Sequence, residues 1–431
     1  MEITKSDPLA HTPIVASLKV LLYESSLMSE VLLASLSSAK KSAQARLNSD
    51  LYNAINDEFN QNGWPTTVEA YLDYLDMYVR LIPNEEKDPN YPEAWQSNDQ
   101  RNGYSQKVYD LLCQFYWLID QKVHISGEKY CMQTSFPAFA KWLVEFVDAW
   151  GEFLDTEESL NYDTLMSFKH DSMYNYDLYS DNSSSWKTFN EFFYREFNGA
   201  DSQTGISPLR PIADPGNNTT IASPADCTYK QTFSIDSEGN VVDPDGLISR
   251  IKLKHTHSIG NINELMGGSE YASDFYGGTF VHYFLSPFDY HRFHTPVSGN
   301  VLEIKPLQGS VYLAVNLIGG QWDAPDSADD GYEFKQSRGL ITINAGSTVG
   351  KVAVLPIGMA QVSSSMMYTD LLGTNVVKGQ EFGKFRFGGS DIIMLFQKTP
   401  DLYLFKKDPS HVPIHFQYGQ TAAYWNGSAQ S

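Results

Sequence analysis

The sequence predicts an α+β protein in which a helical N-terminal domain precedes a strand-rich domain. Three observations predict it: three- and four-residue apolar periodicity up to about residue 155, two-residue alternation after Trp186, and a polar stretch between them. In the first region Leu18, Leu21 and Leu22, then Met28, Val31, Leu32 and Leu36, recur at steps that line one helical face. TVEAYLDYLDMYVRLI and FPAFAKWLVEFVDAWGEFL repeat the pattern. Pro83 ends the first of these, and Pro137 opens the second, where a missing N–H is tolerated. Their aromatic and leucine stripes read as core. Residues 156–185, ending DNSSS, read as a linker, which places the domains at 1–155 and 186–431.

After Trp186 a short helix over about 189–197 is followed by alternating strands punctuated by Gly, Pro and Asp, as in NVLEIKPLQGSVYLAVNL and GLITINAGSTVGKVAVLPIGMAQVSSS. The acidic stretch GGQWDAPDSADDGYEFKQSRG reads as a solvated loop between strands, long enough to cover a site.

Composition limits the function classes. The 431 residues, 42% hydrophobic and 19% charged, suit two globular domains. A net charge of −21 with no Lys/Arg run argues against nucleic-acid and anionic-lipid partners. No apolar run reaches the ~18–20 residues that span a bilayer, and MEITKSDPLAHTP lacks a signal-peptide pattern, so a cytoplasmic protein with no integral membrane segment is expected. Cys113, Cys131 and Cys227 are odd in number and lack metal-ligand spacing, which fits a reducing compartment.

The chemistry concentrates in FGGSDIIMLF at 387–396. Two glycines before Ser390 permit backbone shapes closed to other residues and leave the preceding carbonyl open to a neighbouring hydroxyl. A serine needs a base, and the base an orienting carboxylate. His291 and His294, in DYHRFHTPVS at 289–298, are candidates for the base, and Asp226, in IASPADCTY, for the carboxylate. On a helix, histidines three apart would share a face, which makes a metal pair the rival reading; with no third ligand evident, no metal is expected.

SPAD at 223–226, YHRFHTPV at 290–297 and FGGS at 387–390 stand in the order and at about the spacing of the phosphatidylserine decarboxylase family, whose members carry a serine-derived pyruvoyl group. FNEFFYREF at 189–197 and Arg-Pro-Ile at 210–212 agree, so the resemblance covers about residues 186–400. Within the family the chain most resembles the soluble fungal branch that includes the tryptophan decarboxylase of psilocybin biosynthesis, judged by WGEFL at 150–154, NNTTI at 217–221 and the long N-terminal region.

The resemblance implies a strand-rich pyruvoyl-decarboxylase domain with barrel-like sheets and self-cleavage between Gly389 and Ser390. The resulting chains, 1–389 and 390–431, would stay associated. It implies that His294 activates Ser390, that Asp226 orients His294, and that His291 serves decarboxylation as a proton donor. The pyruvoyl group made from Ser390 would be an electron sink like pyridoxal phosphate, so neither that cofactor nor a metal is needed. Many bacterial members read Leu-Gly-Ser-Thr where this chain reads Gly388-Gly389-Ser390-Asp391, and the Asp391 carboxylate is expected beside the pyruvoyl carbon.

The expected substrate is a free aromatic L-amino acid, tryptophan first, released as amine and carbon dioxide. The alternative is phosphatidylserine, giving phosphatidylethanolamine. From another class, TPVSGNVLEI and GTNVVKGQEFGKFRF resemble the halves of lipoyl- and biotin-carrier barrels, but no flanked carrier lysine is apparent. An uncleaved family member is a third reading. Oligomeric state, a homo-oligomer included, is left open by the sequence.

Overall fold

A computed structural model describes residues 11–96, 106–179, 186–242, 260–324, 334–359, 365–399, 401–408 and 410–425. The chain forms two compact units, Met1–Asp171 with Tyr312–Pro325, and Ser172–Val311 with Asp326–Ser431.

The first unit is helical, with main helices Pro13–Glu24, Ser26–Arg46, Ser49–Glu58, Val68–Tyr78, Lys107–Ile119, Pro137–Phe153 and Tyr162–Lys169. Their starts follow local chemistry. Thr67 accepts from the N–H of Ala70, Asn48 accepts from those of Asp50 and Leu51, and Pro137 occupies the first turn of its helix. The periodic Leu18, Leu22, Met28, Val31, Leu32 and Leu36 are buried, together with an aromatic cluster of Tyr74, Tyr78, Phe115, Phe146 and Trp150.

Two stretches differ from expectation. The proposed linker carries the helix Tyr162–Lys169, capped by Asn161, with Leu165 and Phe168 buried. Part of the acidic stretch is a hairpin, Asn316–Ile318 against Gln321–Asp323, that belongs to the helical unit. The cause is Trp322, buried against Trp64 and Trp117, because one indole brings enough apolar area to outweigh its polar surroundings. Residues 325–333 of that stretch and 180–185 of the linker lie outside the described residues.

The second unit is built on a nine-stranded antiparallel sheet. From edge to edge it runs Asn375–Val376, Gly299–Leu307, Arg338–Asn344, Lys351–Met359, Gly389–Phe396, Thr279–Leu285, Cys227–Ile235 and His415–Phe416, with Val241–Val242 added to Cys227–Ile235. Among the described residues the end strands Asn375–Val376 and His415–Phe416 do not pair with each other, so the sheet is open and barrel-like only in a loose sense. One face buries Phe233, Phe280, Leu355, Ile393 and Leu395. Two three-stranded sheets complete the unit: Ser365–Met367, Glu381–Phe385 and Arg292–His294; and Leu402–Leu404, Thr421–Trp425 and Thr220–Ala222.

Among the described residues no single helix is long and apolar enough to cross a membrane. Pro13–Glu24 and Ser26–Arg46 reach that length and apolarity only as a pair, which is bent by 113°.

Candidate active site

Ser390 sits near the start of a central strand, opposite Gly358 on one neighbour and Leu285 on the other. It is fully buried, and its Oγ has no hydrogen-bond partner among the described residues. A buried hydroxyl left unbonded costs about 1–3 kcal/mol, which singles the atom out. Gly388 before it has φ +146°, a conformation that glycine alone adopts readily.

The approach to Ser390 is fixed by the short helix Phe189–Phe193. Asn190 Oδ1 accepts from the N–H of Phe387, and the Phe387 ring meets Phe189 and Phe193 edge-on, each at 5.1 Å. Phe193 also stacks on His291 at 3.9 Å, so one phenylalanine touches both a candidate histidine and the segment that leads to Ser390.

His291 immediately precedes the strand Arg292–His294 and His294 ends it, so the two do not share a helical face, and each ring has its own environment. His291 donates its Nε2–H to the Pro287 carbonyl at 3.3 Å, and its Nδ1 has no hydrogen-bond partner among the described residues. Burial, helped by the Arg195 charge, pulls it down to about 3. His294 donates from Nδ1 to the Gly379 carbonyl at 2.7 Å, which leaves Nε2 as the lone-pair nitrogen, accepting from the Tyr290 hydroxyl at 3.2 Å. Burial lowers it to about 3 as well; the Gly379 bond and the Asp226 charge oppose the shift, and Arg292 adds to it. Both are neutral imidazoles at neutral pH. Among the described residues no three His, Cys, Asp or Glu side chains are grouped to hold a metal.

Asp226 is part of this cluster, but it does not orient His294 by a hydrogen bond. Its carboxylate accepts from Arg210 Nη2 at 2.9 Å and from the Tyr418 N–H at 2.8 Å. The Tyr418 ring stacks on His294 at 3.9 Å with planes 5° apart. Asp226 therefore acts on the imidazole through its charge and through Tyr418, while the tautomer is set by Gly379. The His294 N–H donates to the Pro224 carbonyl at 2.7 Å, which joins the SPAD and YHRFH motifs directly.

Asp391 is corrected. Successive side chains of a strand point to opposite faces, so Asp391 lies on the face away from Ser390. There it approaches His282 Nε2 at 3.3 Å, and both residues are fully buried.

Arg195 supports the histidine segment. It is 1% exposed and donates to the carbonyls of Phe288 and Tyr174 at 2.8 and 3.3 Å. Arg292 pairs with Glu381 at 2.8 Å, tying that segment to the strand Glu381–Phe385. The sequence reading gave no role to Phe193, Arg195, Arg210, Gly379 or Tyr418. FNEFFYREF and Arg-Pro-Ile were visible as motifs, whereas nothing in spacing pointed to Gly379 or Tyr418.

Residues 189–424 match the family model described as phosphatidylserine decarboxylase, and the chain belongs to that family. It is 33% identical over 226 residues to phosphatidylserine decarboxylase proenzyme 2 of Oryza sativa subsp. japonica, covering 52% of this chain and 31% of the rice protein. It is 31% identical to the Clostridium novyi proenzyme, over 59% of this chain and 75% of that protein. It is 26% identical to the decarboxylase iboD of Amanita muscaria, over 60% of this chain and 77% of that one. The chain thus spans about a third of the rice relative it matches.

Proposed function

We propose that this chain is a self-processing, pyruvoyl-dependent decarboxylase of a free aromatic L-amino acid, with tryptophan the first candidate. The observation that carries the reading is the buried, unbonded Ser390 hydroxyl behind Gly388 and Gly389 in a chain of this family.

In the maturation step Ser390 Oγ attacks the Gly389 carbonyl carbon, the C–N bond breaks, and an ester joins the two residues. The serine proton goes to His294 Nε2, the nitrogen that carries the lone pair, as the Tyr290 hydroxyl gives way, and passes from there to the Ser390 nitrogen as the C–N bond breaks. Loss of the Ser390 Cα proton then breaks the Cβ–O bond, freeing the Gly389 carboxylate and leaving dehydroalanine. Water hydrolyses this to a pyruvoyl group and ammonia. The uncoordinated Oγ and the absence of any side chain at Gly388 and Gly389 fit such a group at position 390.

The pyruvoyl group supplies an electron sink for loss of carbon dioxide from an α-amino acid. His291, stacked on Phe193, is the proposed relay of a proton to the product carbon, with Nδ1 as the ring nitrogen not bonded to Pro287. Asp226 and Arg210 keep Tyr418 against His294. The reading places the enzyme in the cytoplasm, with the two product chains held together and no metal or pyridoxal phosphate required.

A free amino acid is preferred to phosphatidylserine because a chain of net charge −21 is repelled by an anionic bilayer. The Amanita relative, named a decarboxylase, supports decarboxylation as the reaction. Amine release from tryptophan, tyrosine, phenylalanine and phosphatidylserine, compared without added cofactor, tests the assignment. Turnover of the lipid alone would transfer it to phosphatidylserine.

A further inference from the structure

Lys378 immediately precedes the glycine whose carbonyl fixes His294. Its side chain is 1% exposed, and it serves no carrier role: Nζ donates to the carbonyls of Thr220 and Asn217 at 2.6 Å, Asp214 at 2.7 Å and Ala213 at 3.2 Å. An ammonium has three protons and is expensive to take out of water, so it remains inside only where those protons are used. Here all of them are spent on one loop, residues 213–220, which runs into the strand Thr220–Ala222 and on to Asp226.

The other end of Lys378 belongs to the histidine side of the site. Its own N–H donates to Ser298 Oγ at 2.8 Å, and the Gly379 N–H donates to the Thr295 carbonyl at 2.8 Å. Gly379 has φ +84°, and a Cβ there would collide with Ile212, so the turn needs glycine on both counts. In this turn the Gly379 carbonyl meets His294 Nδ1.

We infer that Lys378 is a positioning residue for self-cleavage: its ammonium pins the 213–220 loop to the Gly379 turn, and the Gly379 carbonyl thereby holds His294 as the Nδ1–H tautomer with its lone pair on Nε2. If the carbonyl swings away, the proton is free to settle on Nε2 and the base is lost. The inference rests on the self-cleavage reading of Ser390.

Lys378→Met keeps the stem and removes the protons. It should fold, with cooperative unfolding, yet cleave about tenfold more slowly or worse, since small displacements of a catalytic group cost that much. The readout specific to positioning is the tautomer. In the uncut Ser390→Ala protein, ¹⁵N-histidine NMR should show Nδ1–H at His294, and adding Lys378→Met should shift the population towards Nε2–H. Propylammonium should restore part of the cleavage rate of Lys378→Ala. A folded Lys378→Met that cleaves at the wild-type rate, or that slows while His294 keeps its tautomer, overturns the inference. If Lys378→Met does not fold, the milder Lys378→Gln carries the same test. Misfolding of both overturns a separable positioning role. Wild-type protein is the control: should it fail to cleave, the self-cleavage reading fails instead.

Discussion

The ring of Phe193 lies against the imidazole of His291, centroids 3.9 Å and planes 20° apart. Because Phe193 also meets Phe387 edge-on, this contact ties a histidine from the middle of the chain to the segment before Ser390. Full burial favours neutral imidazole at His291, and Arg195 favours it further.

The two histidines should separate by role. His294→Ala removes the proposed base and should abolish or greatly slow cleavage, by about 10²-fold or more. His291→Ala should cleave and then turn over poorly. Denaturing electrophoresis reads the first effect, and amine release by fully cleaved protein reads the second. Equal loss of cleavage in both variants would end this division of labour.

Arg210 and Asp226 are a buried ion pair, each about 5% exposed. Breaking such a pair from one side leaves an uncompensated charge, so Arg210→Met on the uncut Ser390→Ala background should cost about 3–5 kcal/mol in denaturant unfolding. Adding Asp226→Asn should return part of that loss, because the stranded charge disappears. Additive losses would contradict the pairing.

Acid should destabilise the uncut protein through the same histidines. Burial holds His291 and His294 at about 3, against an ordinary 6.5, so between these values the unfolded chain binds protons that the folded chain refuses. Their contribution is complete above pH 6.5 and is lost as pH falls towards 3. At about pH 5 the loss is ~2 kcal/mol per histidine. Unfolding midpoints at about pH 7.5 and 5 should show it, and His291→Gln should flatten the dependence. An unchanged slope in that variant would refute the role of His291.

Cleavage should not release the small chain. Its first strand is paired on one side with Lys351–Met359 and on the other with Thr279–Leu285, and Thr421–Trp425 pairs with Thr220–Ala222. Size exclusion of cleaved protein should therefore give one species in native buffer and two after denaturation. Separation of the chains in native buffer would contradict this topology.

The division into helices and then strands was legible because burial follows sequence period: Leu18, Leu22 and Leu36 are buried where the three- and four-residue steps put them. The hairpin around Trp322 was not, since a single indole among Asp and Gly leaves no periodic signal. Asp226, His291, His294 and Ser390 were found as residue types in motifs, but their partners were not. Two of those partnerships run through the backbone: the Gly379 carbonyl on His294, and the Tyr418 N–H on Asp226. Backbone groups are the same at every position, so no pattern of side chains announces them. The alternation that turns Asp391 away from Ser390 was readable, by contrast, from the strand period alone.

Intact mass under denaturing conditions tests the central claim most directly. Wild-type protein should give two chains divided between Gly389 and Ser390, the small one lighter by one ammonia than its serine-started sequence, and Ser390→Ala should give one. A wild-type protein that decarboxylates its substrate as a single uncut chain would contradict the account.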